Sequence, residues 1–271
     1  MQHGIHFISG LPRAGSTLLA GILRQNPGFH AGMTSPVGTL FMALLRQMSQ
    51  ENEFALFIEE RQRKAVLAGL FESFYQHIQA EKLVFDTNRL WCGKLPALAT
   101  LFPDAKVIAC VRDLPWVLDS VERLIRRNKF EPSKIFNFDP GGTVYNRVDG
   151  LLGMNGMVGF AYNALKEAYY GEHADRLMLL TYETLTRTPA KAMAAVYDFI
   201  GAPPFAHDFD HVDYAEDEFD ARLGTPGLHR VAAKVQHIDR QMILPPDVIR
   251  RVENDSFWTD AKRNLRGVRV V

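Results

Sequence analysis

A short glycine-bearing loop near the start of the 271-residue chain has the makings of an anion site. In "FISGLPRAGSTLLAGIL" an apolar stretch runs into Gly10, a loop carries Pro12 and Arg13, and a helical pattern starts near Gly15. That order aims backbone N–H groups and the positive end of a helix dipole at one point. Gly15 lets the backbone approach an anion closely, and Ser16 and Thr17 add hydroxyl donors. Arg13 adds a permanent cation whose forked donors suit phosphate oxygens. The spacing of Gly10, Gly15 and Thr17 fits the nucleotide-hydrolase loop G-x-x-x-x-G-K-[ST], but Ser16 stands where its lysine belongs. Without that lysine the loop lacks its grip on β- and γ-phosphates, which argues against ATP hydrolysis or phosphoryl transfer. A second cation, Arg112, closes the apolar run "VIACV", and Ser120 follows eight residues later. Taken singly, Arg112 reads as a helix-cap partner of Asp113 and Ser120 as an ordinary helix residue. Asp86 ends a third apolar run, with Arg89 just beyond it in "FDTNRLW".

Strands must deliver these residues to one edge. Apolar runs at 3–9, 82–87, 105–111 and within "DRLMLLTY" read as strands, continuous rather than alternating, as for strands buried on both faces. Between them lie helical patterns, among them 54–78 (one or two helices), "LPWVLDSVERLIRR", "GFAYNALKEAYYGEH" and "TPAKAMAAVYDFIG", the last closed by Gly201. Strand–helix alternation predicts an α/β fold, a P-loop-like parallel sheet flanked by helices, with helical insertions and right-handed crossovers. Gly10, Asp86 and Arg112 then share the carboxyl edge, where ligands bind such sheets. Stretches 130–156 and 203–226 read as irregular, and the seven acids from Asp208 to Asp220 as a solvated loop. No linker divides the chain, so residues 1–271 are read as one domain.

Composition narrows the function. Lys+Arg and Asp+Glu are each 31, so the formal charge is zero, against a general nucleic-acid binder but not against a small anion held by local cations. Two cysteines, Cys92 and Cys110, cannot make a disulfide scaffold, and Cys110 reads as a core residue. No stretch approaches the roughly 20 apolar residues of a membrane span, and the N-terminus lacks a signal-peptide pattern, which reads as cytoplasmic.

"LPRAGSTLL" resembles the 5′-phosphosulfate loop of sulfotransferases that use 3′-phosphoadenosine 5′-phosphosulfate (PAPS), with Ala14 where that family has Ser. The family's second motif, a strand-end Arg with a Ser eight residues on, binds the nucleotide 3′-phosphate; Arg112 and Ser120 match it. Asn26-Pro27, "LFPDAKVIACVRD" and "TYETL" are similar to the tyrosylprotein sulfotransferase branch. Tyr182 in "TYETL" matches a nucleotide-contacting Tyr, and Lys234 in "LHRVAAKV" the Lys of a C-terminal segment over the nucleotide. The resemblance spans most of 5–245, strong at the first two motifs and weak at the last.

It implies metal-free in-line transfer of a sulfuryl group from PAPS to an acceptor hydroxyl, leaving 3′-phosphoadenosine 5′-phosphate (PAP). Nucleotide binding falls to Arg13, Ala14, Gly15, Ser16, Thr17, Arg112, Ser120, Tyr182 and Lys234. Arg13 neutralises the leaving phosphate, and Arg89, at the position of a catalytic Lys, stabilises charge on the transferring group; its bland alternative is an ion pair with Asp86. The branch's catalytic Glu is missing from 31–38, where Thr34 takes roughly its place, so Asp86 and His30 are the alternatives for the base. The acceptor is a tyrosine in a peptide or protein, or with the same donor a carbohydrate, lipid or small phenol. The basic cluster Arg123–Lys129 could guide an acidic peptide or be a solvated helix end. A nucleotide kinase and a non-catalytic nucleotide-binding module stay open. Oligomeric state is not readable.

Overall fold

The computed structural model describes residues 4–78, 80–130 and 142–271. Six parallel strands form one sheet in the order β2-β3-β1-β4-β5-β6. They are β1 (Ile5–Gly10), β2 (Phe29–Ala31), β3 (Leu83–Thr87), β4 (Val107–Val111), β5 (Leu177–Thr181) and β6 (Arg269–Val270). Every residue of β1 and β4 is buried; β4 is apolar throughout, whereas β1 carries two polar residues, His6 and Ser9, each hydrogen-bonded where it is buried. The helices that bear on the site are α1 (Ser16–Leu23), α2 (Val37–Gln47), α3 (Glu60–Tyr75), α4 (Leu95–Leu101), α5 (Leu114–Arg127), α6 (Val144–Leu152), α7 (Met157–Tyr170), α8 (Tyr182–Arg187), α9 (Pro189–Ile200), α10 (Asp217–Arg222) and α11 (Pro246–Val252). β1 is flanked by β3 on one side and β4 on the other, so strand order reverses beside it. A crevice opens there at the carboxyl ends.

The expected strand and helix cores are present, with ends shifted by a few residues. The two shortest strands escape sequence reading: β2 and β6 have three and two residues, too few for a periodicity. Within 130–156, read as irregular, residues 131–141 lie outside the described ones, but 144–152 form α6. Thr143 starts it by accepting from the Asn146 amide while Asn146 reaches back to the Thr143 amide. The acids from Asp208 to Asp220 are also not simply a solvated loop. Backbone bonds join this stretch to the chain at 231–235: Val212 N–H to Ala233 O (2.7 Å), Val231 N–H to Tyr214 O (3.1 Å) and Val235 N–H to Phe209 O (2.8 Å). Its last acid, Asp220, sits in α10 and is fully buried.

A second buried carboxylate fastens the chain farther on. Asp119, on α5, is fully buried and accepts from Arg123 Nε (2.8 Å) and from the Ile243 amide (2.7 Å), with Arg240 at 3.1 Å. Arg123 also donates to the Gln241 carbonyl, and Arg126 pairs with Glu122 at 3.0 Å. Two of the three arginines of the basic cluster, Arg123 and Arg126, thus hold helix and segment together, Arg126 through the Ile243 carbonyl at 3.4 Å. Segment 224–245 is thereby drawn across the open edge of the sheet.

Candidate functional site

β1 ends in a turn that only glycine can make. Gly10 has φ +103°, and a Cβ there would lie 2.1 Å from the Cys110 carbonyl oxygen of the neighbouring strand. Ser9 braces the turn from below, donating to the Arg89 carbonyl and accepting the Cys92 amide, both at 3.2 Å. Beyond it Arg13 adopts φ 60°, a left-handed conformation unusual for a side-chain-bearing residue. Its guanidinium is anchored from two sides, Nε to Ser120 Oγ at 3.0 Å and Nη1 to the Leu228 carbonyl. Gly15, φ +101°, caps α1 with no side chain on the first-turn amides and no acid in the first turn. Those N–H groups remain free to meet an anion.

The second half of the cradle is a stack. Arg112 lies 3.9 Å over the Tyr182 ring and 5.7 Å from that of Trp116, and is 8% exposed. Its buried Nε has no hydrogen-bond partner among the described residues. A Cβ on Gly15 would come within 3.3 Å of Tyr182, so the aromatic ring fills the space between loop and arginine. Arg240 reaches the same place from segment 224–245, 5.9 Å from the Trp116 ring. Burial lowers the Arg13 pKa to about 10, opposed by Tyr182 and reinforced by the cations Arg112 and Arg240. Burial likewise lowers that of Arg112, again opposed by Tyr182 and reinforced by Arg240. Three guanidiniums facing one another, with an orphaned buried donor among them, fit an anionic ligand.

These residues line a cavity of about 440 Å³. Arg13, Gly15, Ser16, Thr17, Arg112, Ser120, Tyr182, Lys234 and Arg89 all border it, so the fold brings nearly every expected site residue together. Ala14 is fully buried beneath the loop and contributes backbone only. Lys234 is outermost, 62% exposed and paired with Asp210 at 2.8 Å. Arg89 makes no ion pair with a described residue; it is exposed and borders the cavity.

Asp86 is where the structure departs from expectation. It reaches the carboxyl edge of β3, but it is fully buried and does not border the cavity. Oδ2 accepts from Ser35 and Tyr75, both at 2.6 Å, and Oδ1 from the Trp91 indole at 2.7 Å. Burial raises its pKa, and these three donors pull the other way. A carboxylate with both oxygens taken and no path to the cleft is an anchor for the loop at Ser35, not a proton acceptor for a bound molecule. This also explains why Arg89 is unpaired. A second cavity of about 970 Å³ adjoins the first and shares Met33, Thr34, Asn88, Arg89 and Phe219 with it. His30, Arg24 and Lys82 border it. Burial lowers the His30 pKa, and His77, Arg24 and Lys82 add to the effect.

Sequence reasoning missed two residues here. Arg240 carries no motif spacing and becomes visible only because Asp119 draws its segment inward. His229 borders the first cavity, its Nδ1 2.5 Å from Asp220 Oδ1.

The sequence matches the sulfotransferase family over residues 6–207. It is 27% identical over 248 residues to protein-tyrosine sulfotransferase 1 of Danio rerio, covering 89% of this chain and 63% of that protein. The corresponding Mus musculus protein matches at 28% over 113 residues, 40% of this chain and 30% of that one. The chain thus spans less than two thirds of the length of these relatives. Among solved structures, a sulfotransferase from Alicyclobacillus acidocaldarius superposes with a TM-score of 0.52 at 14% identity, covering 97% of this chain and 94% of that one. The sulfotransferase domain of the Synechococcus PCC 7002 olefin synthase gives 0.50 at 20% identity, covering 93% and 94%. Both are likenesses of fold.

Proposed function

The chain belongs to the sulfotransferase family, and from that premise we propose that it transfers a sulfuryl group from PAPS to the phenolic hydroxyl of a tyrosine in a peptide or protein. The observation that carries this reading is the two-ended cation cradle, in which Arg13 bonds Ser120 and so couples the loop of one strand to the helix of another. A bis-anionic nucleotide would replace the mutual repulsion of Arg13, Arg112 and Arg240 with attraction. In this reading the loop amides, Ser16, Thr17 and Arg13 hold the 5′-phosphosulfate. Arg112 and Ser120, joined by Arg240, hold the 3′-phosphate, with Tyr182 packed between them. Lys234 closes over the nucleotide from segment 224–245.

Sulfuryl transfer asks the protein mainly for position and for charge where charge develops. Arg13 neutralises the phosphate that leaves. Arg89, unpaired at the junction of the two cavities, faces the transferring group. The acceptor enters through the second cavity, whose cations Arg24 and Lys82 favour a peptide bearing acids. Support for a protein acceptor comes from the name of the zebrafish relative. A reducing, cytoplasmic setting and a single domain over 1–271 belong to the same proposal; Cys92 and Cys110 are free buried thiols.

Calorimetric titration of the purified chain with PAP, without added metal, tests the donor half, and binding is the expected result. Silence toward PAP alongside a signal from ATP with magnesium would replace this reading by a kinase-like one. PAPS turnover with tyrosine peptides against a carbohydrate panel tests the acceptor half, and transfer to sugars alone would remove tyrosine.

A further inference from the structure

We infer that His229, held by the buried carboxylate of Asp220, is the base that takes the proton from the acceptor hydroxyl, an inference that rests on the sulfuryl-transfer reading above. An acceptor oxygen bonds sulfur only as its proton departs, and the obvious groups do not serve. Segment 31–38 has no carboxylate, Asp86 is walled off, and Thr34 offers only a hydroxyl. His30 borders only the second cavity, where Arg24, Lys82 and His77 face it, and Glu216, which lines the same cavity, already accepts from the Tyr214 hydroxyl at 3.1 Å.

His229 is held twice by one residue. Asp220 Oδ2 accepts its backbone N–H at 2.8 Å, and Oδ1 meets its Nδ1 at 2.5 Å. Asp220 is fully buried, whereas the His229 side chain is 19% exposed and borders the cleft. The Phe219 ring meets the imidazole edge-on at 5.7 Å and limits its rotation. A carboxylate on Nδ1 requires the proton there, so Nε2 carries the lone pair. Nε2 has no hydrogen-bond partner among the described residues. The charges facing the ring are Asp220, Arg13 from the phosphate loop and Arg89 from the turn after β3. Burial is the largest influence on its pKa and lowers it, Asp220 opposes this, and the two arginines add to it, so the resting imidazole is neutral and able to accept. In the loaded cleft the charge of both arginines is matched by the anionic oxygens of the donor, which removes their opposition to an imidazolium.

The step balances. Nε2 takes the acceptor's proton, and the acceptor oxygen forms its bond to sulfur. The bond from sulfur to the bridging oxygen of the 5′-phosphate breaks, with its electron pair staying on that oxygen of PAP. His229 then releases the proton to water. Asp220 acts only through the ring and is a positioning residue.

The test compares two phenols as acceptors of sulfate from PAPS, one protonated and one, a nitrophenol, already ionised at the assay pH. His229→Gln should lower kcat on the protonated phenol by about 10²–10⁴-fold and on the ionised one by less than about tenfold, with PAP affinity unchanged. An equal loss on both acceptors, or none, would overturn the assignment. Nitrogen NMR of the histidines in the PAP-bound protein reads the tautomer without any acceptor. A proton on Nδ1 and a bare Nε2, lost in Asp220→Asn, are expected; a proton on Nε2 in the wild type would refute it. Failure of the wild type to bind PAP defeats the sulfuryl-transfer reading itself, whereas binding with the wrong tautomer defeats only His229.

Discussion

Replacing Arg112 by methionine should stabilise the nucleotide-free protein and weaken its hold on PAP. The residue is 8% exposed and its Nε is buried without a partner among the described residues. Arg240 disfavours its charge, and Arg112 in turn disfavours that of Arg13. Removing an unsatisfied buried polar group returns about 1–3 kcal/mol. Against this stands the cation–π contact with Tyr182 at 3.9 Å, worth roughly 1–2 kcal/mol. Methionine restores part of it, about 0.3–1.5 kcal/mol, through sulfur–aromatic contact. The balance is a gain of about 1 kcal/mol, which for a chain of this length raises Tm by about 2–4 °C. Binding moves the other way: one hydrogen bond to a charged group is worth about 1.5–3 kcal/mol, so affinity for PAP falls about 10–150-fold. Thermal unfolding in buffer free of phosphate and sulfate, together with calorimetric titration, reads both signs. A Tm lowered by several degrees with undiminished PAP affinity would refute the view that this arginine is kept for an anion rather than for the fold.

Two further substitutions separate structure from chemistry. Asp86→Asn leaves one acceptor oxygen for the three donors Ser35, Tyr75 and Trp91, and should cost about 3 kcal/mol of stability in urea unfolding while leaving the pH–rate profile unmoved; a displaced acid limb would restore Asp86 as the base. His6 titrates at about 4, held down by burial first and Lys106 second, so its unfolded form binds the proton more readily. Stability is therefore complete above about pH 6.5 and falls by about 3 kcal/mol as pH drops to 4. The dependence of Tm on pH should flatten over that window in His6→Gln, and an unchanged slope would show that another group sets it.

The chain order of apolar runs and helical faces determined the α/β class by itself, because strands buried on both faces must be largely apolar, as β4 is throughout and β1 is apart from His6 and Ser9. The phosphate loop was equally legible: a turn at Gly10, a cation at Arg13 and a capless helix at Gly15 are local features, each fixed by a few adjacent residues. Arg112 and Ser120 were paired only through the family resemblance, since each taken singly is an ordinary strand-end or helix residue. Reading failed where function depends on residues far apart in the chain. Asp86 has the type and strand position of a base, and only the packing of Ser35, Tyr75 and Trp91 around it shows that its oxygens are taken. Asp220 reads as one acid among seven, yet it alone of that run is drawn fully inside, where it orients His229. Arg240 joins Arg13 and Arg112 because Asp119 gathers in a segment more than a hundred residues away. Local geometry is written in neighbouring residues, but burial and convergence are properties of the assembled fold. They decide which of many possible charges is left free to react.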